Sequence, residues 1–310
     1  MIANNILEAV GNTPLIRLHR MPEPGSAEIL VKMEALNVGG SIKTRTALNM
    51  IEAAEAEGLI TPGKTVIVEP TSGNQGIGLA LVGAVKGYRT VIIMPDSVSE
   101  ERRKLIRHYG AEVKLIHDAG DIGACIDECL KTALRMAEKC SDVFVPQQFA
   151  NVNNTLAHKK HTALEIMAQA AKPIDGFCSG IGTGGTITGI GEVLKAQYPD
   201  ITIWAVEPEN AAILAGGTIG THMQMGIGDG IIPDILNREI YDDIYIVTDG
   251  EAIETSKRLA REEGLMCGIS SGTNVAAALK LAKKLGEGKT VVTILPDTAE
   301  RYFSTCLFEE

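Results

Sequence analysis

A chain of 310 residues with 45% hydrophobic and 22% charged residues has the make-up of a soluble globule, large enough for one large or two modest α/β domains. Its formal charge of −10 argues against a general affinity for nucleic acid or anionic membrane, and no local basic run reverses that; Glu101-Arg102-Arg103-Lys104 is short and mixed. No stretch approaches about 18 uninterrupted apolar residues, and the first residues lack a basic start followed by an apolar run. Neither a membrane span nor a signal peptide is expected, which points to a cytoplasmic protein. The six cysteines (125, 129, 140, 178, 267 and 306) include no CxxC pair. Cys125 and Cys129 could present two metal ligands from one helix, but no second Cys/His pair accompanies them. Reduced, mostly buried thiols and no metal are expected.

In chain order, Glu28–Leu36 reads as a strand and Ser41 onward as a helix. Thr65–Glu69 is a strand leading into a helix over Gln75–Lys86. Strands at Thr90–Met94, Glu112–Ile116 and Val143–Val145 follow, with helices Glu100–Tyr109 and Ile122–Lys139 between them. Beyond residue 150 the pattern resumes with strands at Gly176–Cys178, Ile203–Val206, Ile244–Val247 and Thr290–Leu295. Strands alternating with helices imply mostly parallel twisted sheets flanked by helices on both faces. Length and strand count predict two such sheets, with a border near residue 148.

Glycines cluster where strands end, and open α/β folds bind ligands outside the carboxyl ends of their strands. The clusters are Asn37–Arg45, Thr71–Gly76, Gly180–Thr186 and Gly268–Gly272. Gly180, Gly182 and Gly185 match GxGxxG after a strand, and Glu207 follows about twenty residues later, the outline of a dinucleotide fingerprint. On that basis an NAD-dependent oxidoreductase is one reading. Gly182-Thr183-Gly184-Gly185-Thr186 also offers successive backbone N–H groups and two hydroxyls at a helix N-terminus, the needs of a lone phosphate. Lys43 follows Gly39-Gly40-Ser41 at the start of a helix. Its neighbour Arg45 and the helix terminus would favour the neutral amine, which suits imine formation and proton transfer.

With these motifs in order from Gly11-Asn12-Thr13-Pro14-Leu15 to Glu300-Arg301-Tyr302, the chain resembles the fold-type II pyridoxal 5'-phosphate (PLP) enzymes. The likeness is to O-acetylserine sulfhydrylase (cysteine synthase) and cystathionine β-synthase. The resemblance implies a tryptophan synthase β-like fold. Residues 1–36 and 149–310 would form a larger domain holding the cofactor phosphate. Residues 37–148 would form a smaller mobile domain carrying the Schiff-base helix and the substrate carboxylate loop. It further implies a Schiff base on Lys43, Asn74 on the cofactor's phenolic oxygen, Gly182, Thr183, Gly184, Gly185 and Thr186 around the phosphate, and Ser270 on the pyridine nitrogen. Thr71, Ser72, Gln75 and Gln148 match the family's binders of the substrate carboxylate, and Gly228 is expected among the substrate-binding residues. Serine cannot keep the pyridine nitrogen protonated as a carboxylate would, so a long-lived carbanion is disfavoured and α,β-elimination to an α-aminoacrylate, then addition, is favoured. The implied reaction is β-replacement on a small L-amino acid, O-acetyl-L-serine plus sulfide giving L-cysteine and acetate. Family members are commonly homodimers, and some bind the C-terminal tail of serine acetyltransferase in the active site.

The chain departs from the family pattern at Val38, Thr44 and Gln75, and most tellingly in His222–Ile231, where Asp229 replaces a small apolar residue. A carboxylate in a substrate pocket is costly unless it has chemistry to perform or water to face. Asp229 is either an exposed turn residue or a general base that orients a nucleophile or repels hydrosulfide. The second option resembles members that release hydrogen sulfide from cysteine and form L-serine or L-lanthionine.

Overall fold

The computed structural model describes residues 2–120 and 122–309. The chain opens with β1 (Leu15–Arg17) and β2 (Glu28–Met33), then α1 (Lys43–Ala56), β3 (Val66–Pro70), α2 (Asn74–Lys86) and β4 (Arg89–Pro95). It continues through α3 (Glu100–His108), β5 (Glu112–Ile116), α4 (Ile122–Lys139) and β6 (Val143–Phe144). Next come α5 (Val152–Ala157), a π turn over His158–Thr162, and α6 (Ala163–Gln169), which run on as one continuous helical segment. The remainder is β7 (Gly176–Gly180), α7 (Gly185–Gln197), β8 (Thr202–Pro208), β9 (Asp243–Val247), α8 (Asp249–Arg258), α9 (Ile269–Leu285) and β10 (Thr290–Leu295).

The expected two sheets are present. One is six-stranded in the order β1-β2-β10-β7-β8-β9, parallel except for β1, and the other is an all-parallel β5-β4-β3-β6. Helices cover both faces of each, as continuous apolar strands require. Along β2, Ile29 and Val31 pack with α8 and α9, whereas Leu30 packs with α6 and α7. In the smaller sheet Ile67 and Ile92 face α1 and α2, and Val68 and Ile93 face α4.

Two boundaries differ from expectation for a stated reason. The apolar run from Glu28 leaves the sheet at Met33, because Glu34 turns in a short 3-10 helix to meet Arg45. Helix α1 starts at Lys43 rather than Ser41, because Ser41 bridges to Asp297 and the Ile42 amide donates to the Pro296 carbonyl at 2.9 Å. Gly39 and Gly40, with φ of 74° and 71°, supply the left-handed turn that delivers the chain there. Strand β1 escaped the sequence because three residues carry no readable period.

The chain passes between the sheets twice, through residues 34–42 and 145–151. The first crossing is anchored by a buried ion network. Arg45 forks onto Glu34 at 2.8 and 2.9 Å and onto Glu165 at 2.7 and 2.6 Å, while Lys32 donates to Glu165 at 2.7 Å. Thr13 of the Gly11–Leu15 motif joins through its hydroxyl, 2.6 Å from Glu34. Burial pushes the Glu165 carboxyl up, but Arg45, Lys32 and the Asn12 amide overcome it and bring it down to about 2. Burial holds the Lys32 ammonium below its usual range despite that same carboxylate. A depressed carboxyl stabilises the fold above its unfolded value of 4.5, and the contribution is lost as pH falls towards 2. Glu165 is therefore expected to contribute about 2–3 kcal/mol that disappears across that window. Thermal unfolding of the protein and of Glu165→Gln from pH 6 to pH 2 checks it, with the two curves converging at the acid end.

Candidate active site

In the larger sheet β7 lies between β8 and β10, and in the smaller sheet β3 lies between β4 and β6. The chain leaves each of these central strands to one side and returns on the other, so each carboxyl end opens a crevice. The loop after β3 is Thr71–Gly73 and the loop after β7 runs from Ile181 into α7; the two face one cleft of about 1020 Å³, part of it open to solvent. Lys43, Thr71, Ser72, Asn74, Gln75, Gln148, Gly182, Thr183, Gly184, Thr186, Asp229 and Ser270 all line it. Residues from six separate segments of the chain thus meet in one place.

Gly185 and Gly228 do not line the cleft. Gly185 opens α7, and a Cβ there would overlap the Asn154 side chain, so the loop approaches α5 only as glycine. Gly228 stands behind Asp229 at φ +66°, its carbonyl 3.0 Å from His222 Nε2.

Lys43 Nζ, among the described residues, makes neither a hydrogen bond nor an ion pair. Burial pulls its pKa down, while the carboxylates of Asp229 and Asp297 pull it back up. This corrects the expectation that Arg45 favours the neutral amine: the Arg45 guanidinium points away into the ion network. Asp229 is not an exposed turn residue. It is half-buried, burial raises its carboxyl against the opposing effects of Lys43 and His222, and Oδ2 lies 3.5 Å from where a Gly182 Cβ would stand.

Asn74 begins α2, its Nδ2 donating to Asp297 Oδ2 at 2.7 Å and its Oδ1 accepting from Arg301. One amide N–H remains for the cleft. Thr46 donates to Gln75 Oε1 at 2.7 Å, and buried Gln75 Nε2 has no partner among the described residues. Thr186 Oγ1 is 3.3 Å from His158 Nε2, whose ring is neutral because burial, then Lys43 and Arg45, hold its pKa well below the usual value. The loop before α7 offers backbone N–H groups and the Thr183 and Thr186 hydroxyls at the start of a 13-residue helix. Ser270 sits in the first turn of α9. A free amine, a compact donor cup about a helix N-terminus, an orphaned amide donor and a hydroxyl together fit a phosphorylated aromatic aldehyde.

The fingerprint for a dinucleotide fails on its acid. Glu207 accepts the Leu214 and Ala215 amides at 2.9 and 3.1 Å and is absent from the cleft, so it has no reach to a ribose. Several lining residues carried no signal for this site, including Ile126 of α4, whose apolar spacing reads as core, and Cys129, weighed only as a metal ligand. Asn274, four residues after Ser270, was findable. It accepts the Gly180 amide at 2.7 Å and donates to the Ile294 carbonyl at 2.8 Å, tying β7 to β10 one helical turn beyond the serine.

Fold and site define a PLP-dependent enzyme of the fold-type II class. A family model described as pyridoxal-phosphate dependent enzyme matches residues 6–297, and the chain belongs to that family. It is 48% identical over 309 residues to a cysteine synthase of Staphylococcus aureus, covering 98% of this chain and 97% of that one. The crystal structure of an O-ureido-L-serine synthase matches with a TM-score of 0.91 and 43% identity, covering 100% of this chain and 96% of that chain. A hydrogen sulfide-producing enzyme from Fusobacterium nucleatum matches at 41% identity and a TM-score of 0.91, covering 97% and 98%.

Proposed function

We propose that the protein exchanges the β-substituent of a small L-amino acid, as cysteine synthases do, converting O-acetyl-L-serine and sulfide into L-cysteine and acetate. The observation that carries this reading is the unpartnered Lys43 amine in the same cleft as the Thr71–Gln75 loop, Gln148, the 182–186 cup and Ser270. When bound, the cofactor supplies covalent attachment of the substrate amine and a sink for the electron pair left at Cα. Lys43 is the anchoring amine and, once displaced, the base that takes the Cα proton as the β-leaving group departs with its bonding pair. After the nucleophile adds at Cβ, Lys43 Nζ returns that proton to Cα. Thr71, Ser72, Gln75 and Gln148 hold the substrate carboxylate as neutral donors, with Gln75 Nε2 already free of other partners. Asn74 and Ser270 orient the cofactor ring, and the 182–186 loop with Gly185 holds its phosphate. Purified enzyme given O-acetylserine plus sulfide, and separately cysteine alone, tests the assignment by its products. Failure of the first mixture to yield cysteine would remove it.

Asp229 favours a second reading. Its carboxylate lies half-buried beside Lys43 without a hydrogen-bond partner among the described residues, placed to activate a water or thiol and to repel hydrosulfide. In that direction the protein consumes cysteine, releases hydrogen sulfide and forms L-serine or L-lanthionine. Asp229→Ala is expected to cut hydrogen sulfide release from cysteine about 10²-fold while leaving the O-acetylserine reaction within a few-fold. Unchanged release would leave Asp229 without this role.

Residues 37–148 form the smaller mobile domain in this reading, with 1–36 and 149–310 as the larger one. The two crossings at 34–42 and 145–151 are its hinges. The active form is a cytoplasmic homodimer, testable by sedimentation. Gly228 shapes the substrate loop from behind. Asp229 opposes docking of a serine acetyltransferase tail, whose terminal carboxylate would enter the same cleft.

A further inference from the structure

Strand β6 pairs with β3 only at Val66 and Ile67, so beyond that point the flank of β3 has no ladder partner from β6. Glu69 fills the gap. Its side chain is fully buried, and its two carboxylate oxygens each accept one of two successive backbone amides, Gln147 N and Gln148 N, both at 2.9 Å. Burial raises the carboxyl and the two N–H donors offset it only in part, leaving it pushed up to about 7. Gln147 adopts φ +57°, a conformation a side-chain-bearing residue takes only when held.

The contacts continue in both directions. Glu69 is two residues before Thr71, the start of the loop that lines the cleft from the β3 side. On the other side the Gln148 carbonyl accepts from Asn154 Nδ2 at 2.8 Å, and the same amide nitrogen donates to Thr183 Oγ1 at 2.9 Å. The Thr71 loop, Gln148 and the 182–186 cup are therefore linked in series through one carboxylate and one amide.

We propose that Glu69 is a positioning residue for substrate binding: it holds the Gln147–Gln148 turn in register with the Thr71–Asn74 loop, so that both walls of the carboxylate cradle act as one unit. The proposal rests on the reading that Gln148 and the Thr71 loop bind the substrate carboxylate. Glu69→Gln preserves size but can offer only one acceptor to the two amides, and its NH2 group faces the other N–H.

The test compares Glu69→Gln, Gln148→Ala and the unaltered holoenzyme in steady state with O-acetylserine and with cysteine. Glu69→Gln is expected to raise the amino-acid KM roughly tenfold or more with kcat changed less than threefold and cofactor content unchanged. Amide exchange of the 145–151 segment, measured on cofactor-free protein, is expected to quicken in the same variant. If Gln148→Ala raises KM and Glu69→Gln moves neither KM nor exchange, the positioning role is overturned and the carboxylate reading stands. If neither variant moves KM, both are overturned. A parallel fall in kcat and cofactor content without a rise in KM would make Glu69 merely structural and also overturn the role. Glu69→Asp, which keeps the charge and withdraws the oxygens by one methylene, gives the same comparison should Glu69→Gln fail to fold, with a raised KM again expected.

Discussion

Lys43→Ala is expected to abolish the absorbance band at about 410–420 nm that an internal imine of PLP produces, and to lower turnover by at least about 10³-fold. On the proposed reading the loss is large because two functions disappear together: covalent anchoring of the cofactor and proton transfer at Cα. Cofactor is still expected to bind, weakly, because the cup at the α7 N-terminus, Asn74 and Ser270 are untouched. Lys32 is no substitute amine, since its Nζ is committed to the Thr13 carbonyl at 2.6 Å, Gln169 at 2.9 Å and Glu165 at 2.7 Å. A visible band and near-normal turnover in Lys43→Ala would show that another amine carries the chemistry. Burial sets Lys43 towards its neutral form, while Asp229 and Asp297 resist.

Arg45→Leu is expected to destabilise the protein by about 3–5 kcal/mol, because it leaves the buried carboxylates of Glu34 and Glu165 facing Lys32 alone. For a chain of this length that corresponds to a melting temperature lower by roughly 5–8 °C. Arg45→Lys should recover only part of the loss, since one ammonium cannot replace a fork that meets both carboxylates in two places. Activity is expected to fall beyond the loss of folded protein, because Lys43 lies two residues earlier on the same helix. Calorimetry on the two variants checks the order, and equal melting temperatures for Arg45→Leu and the unaltered protein would refute it. Replacing the whole network by apolar residues is a different experiment with a milder outcome expected, because no charge is then stranded.

Much of the candidate site was legible along the chain because the proposed chemistry needs particular residue types in short runs. A phosphate cup needs small residues with free amides, which Gly182–Thr186 displays locally, and a glycine pair before Lys43 marks a turn into a helix. Asp229 was legible only as an anomaly, and its partners were not. Arg45 was misread for the same reason: two positions from Lys43 in sequence, it projects into a different environment, where Glu34 and Glu165 come from β2's end and from α6. The dinucleotide outline misled because spacing says nothing about where Glu207 points, and its carboxylate is consumed by its own loop.

Periodicity and composition, acting through local sterics and burial, determined by themselves that this chain builds parallel sheets under helices with glycine loops at the strand ends. Which loops share a cleft was decided by tertiary structure, through the strand order that puts β7 between β8 and β10 and β3 between β4 and β6. The bridge from Ser41 to Asp297 and the carboxylate of Glu69 are long-range contacts of the same kind, between residues 256 and 78 positions apart or more. Their energies depend on burial and geometry that no local window of sequence contains.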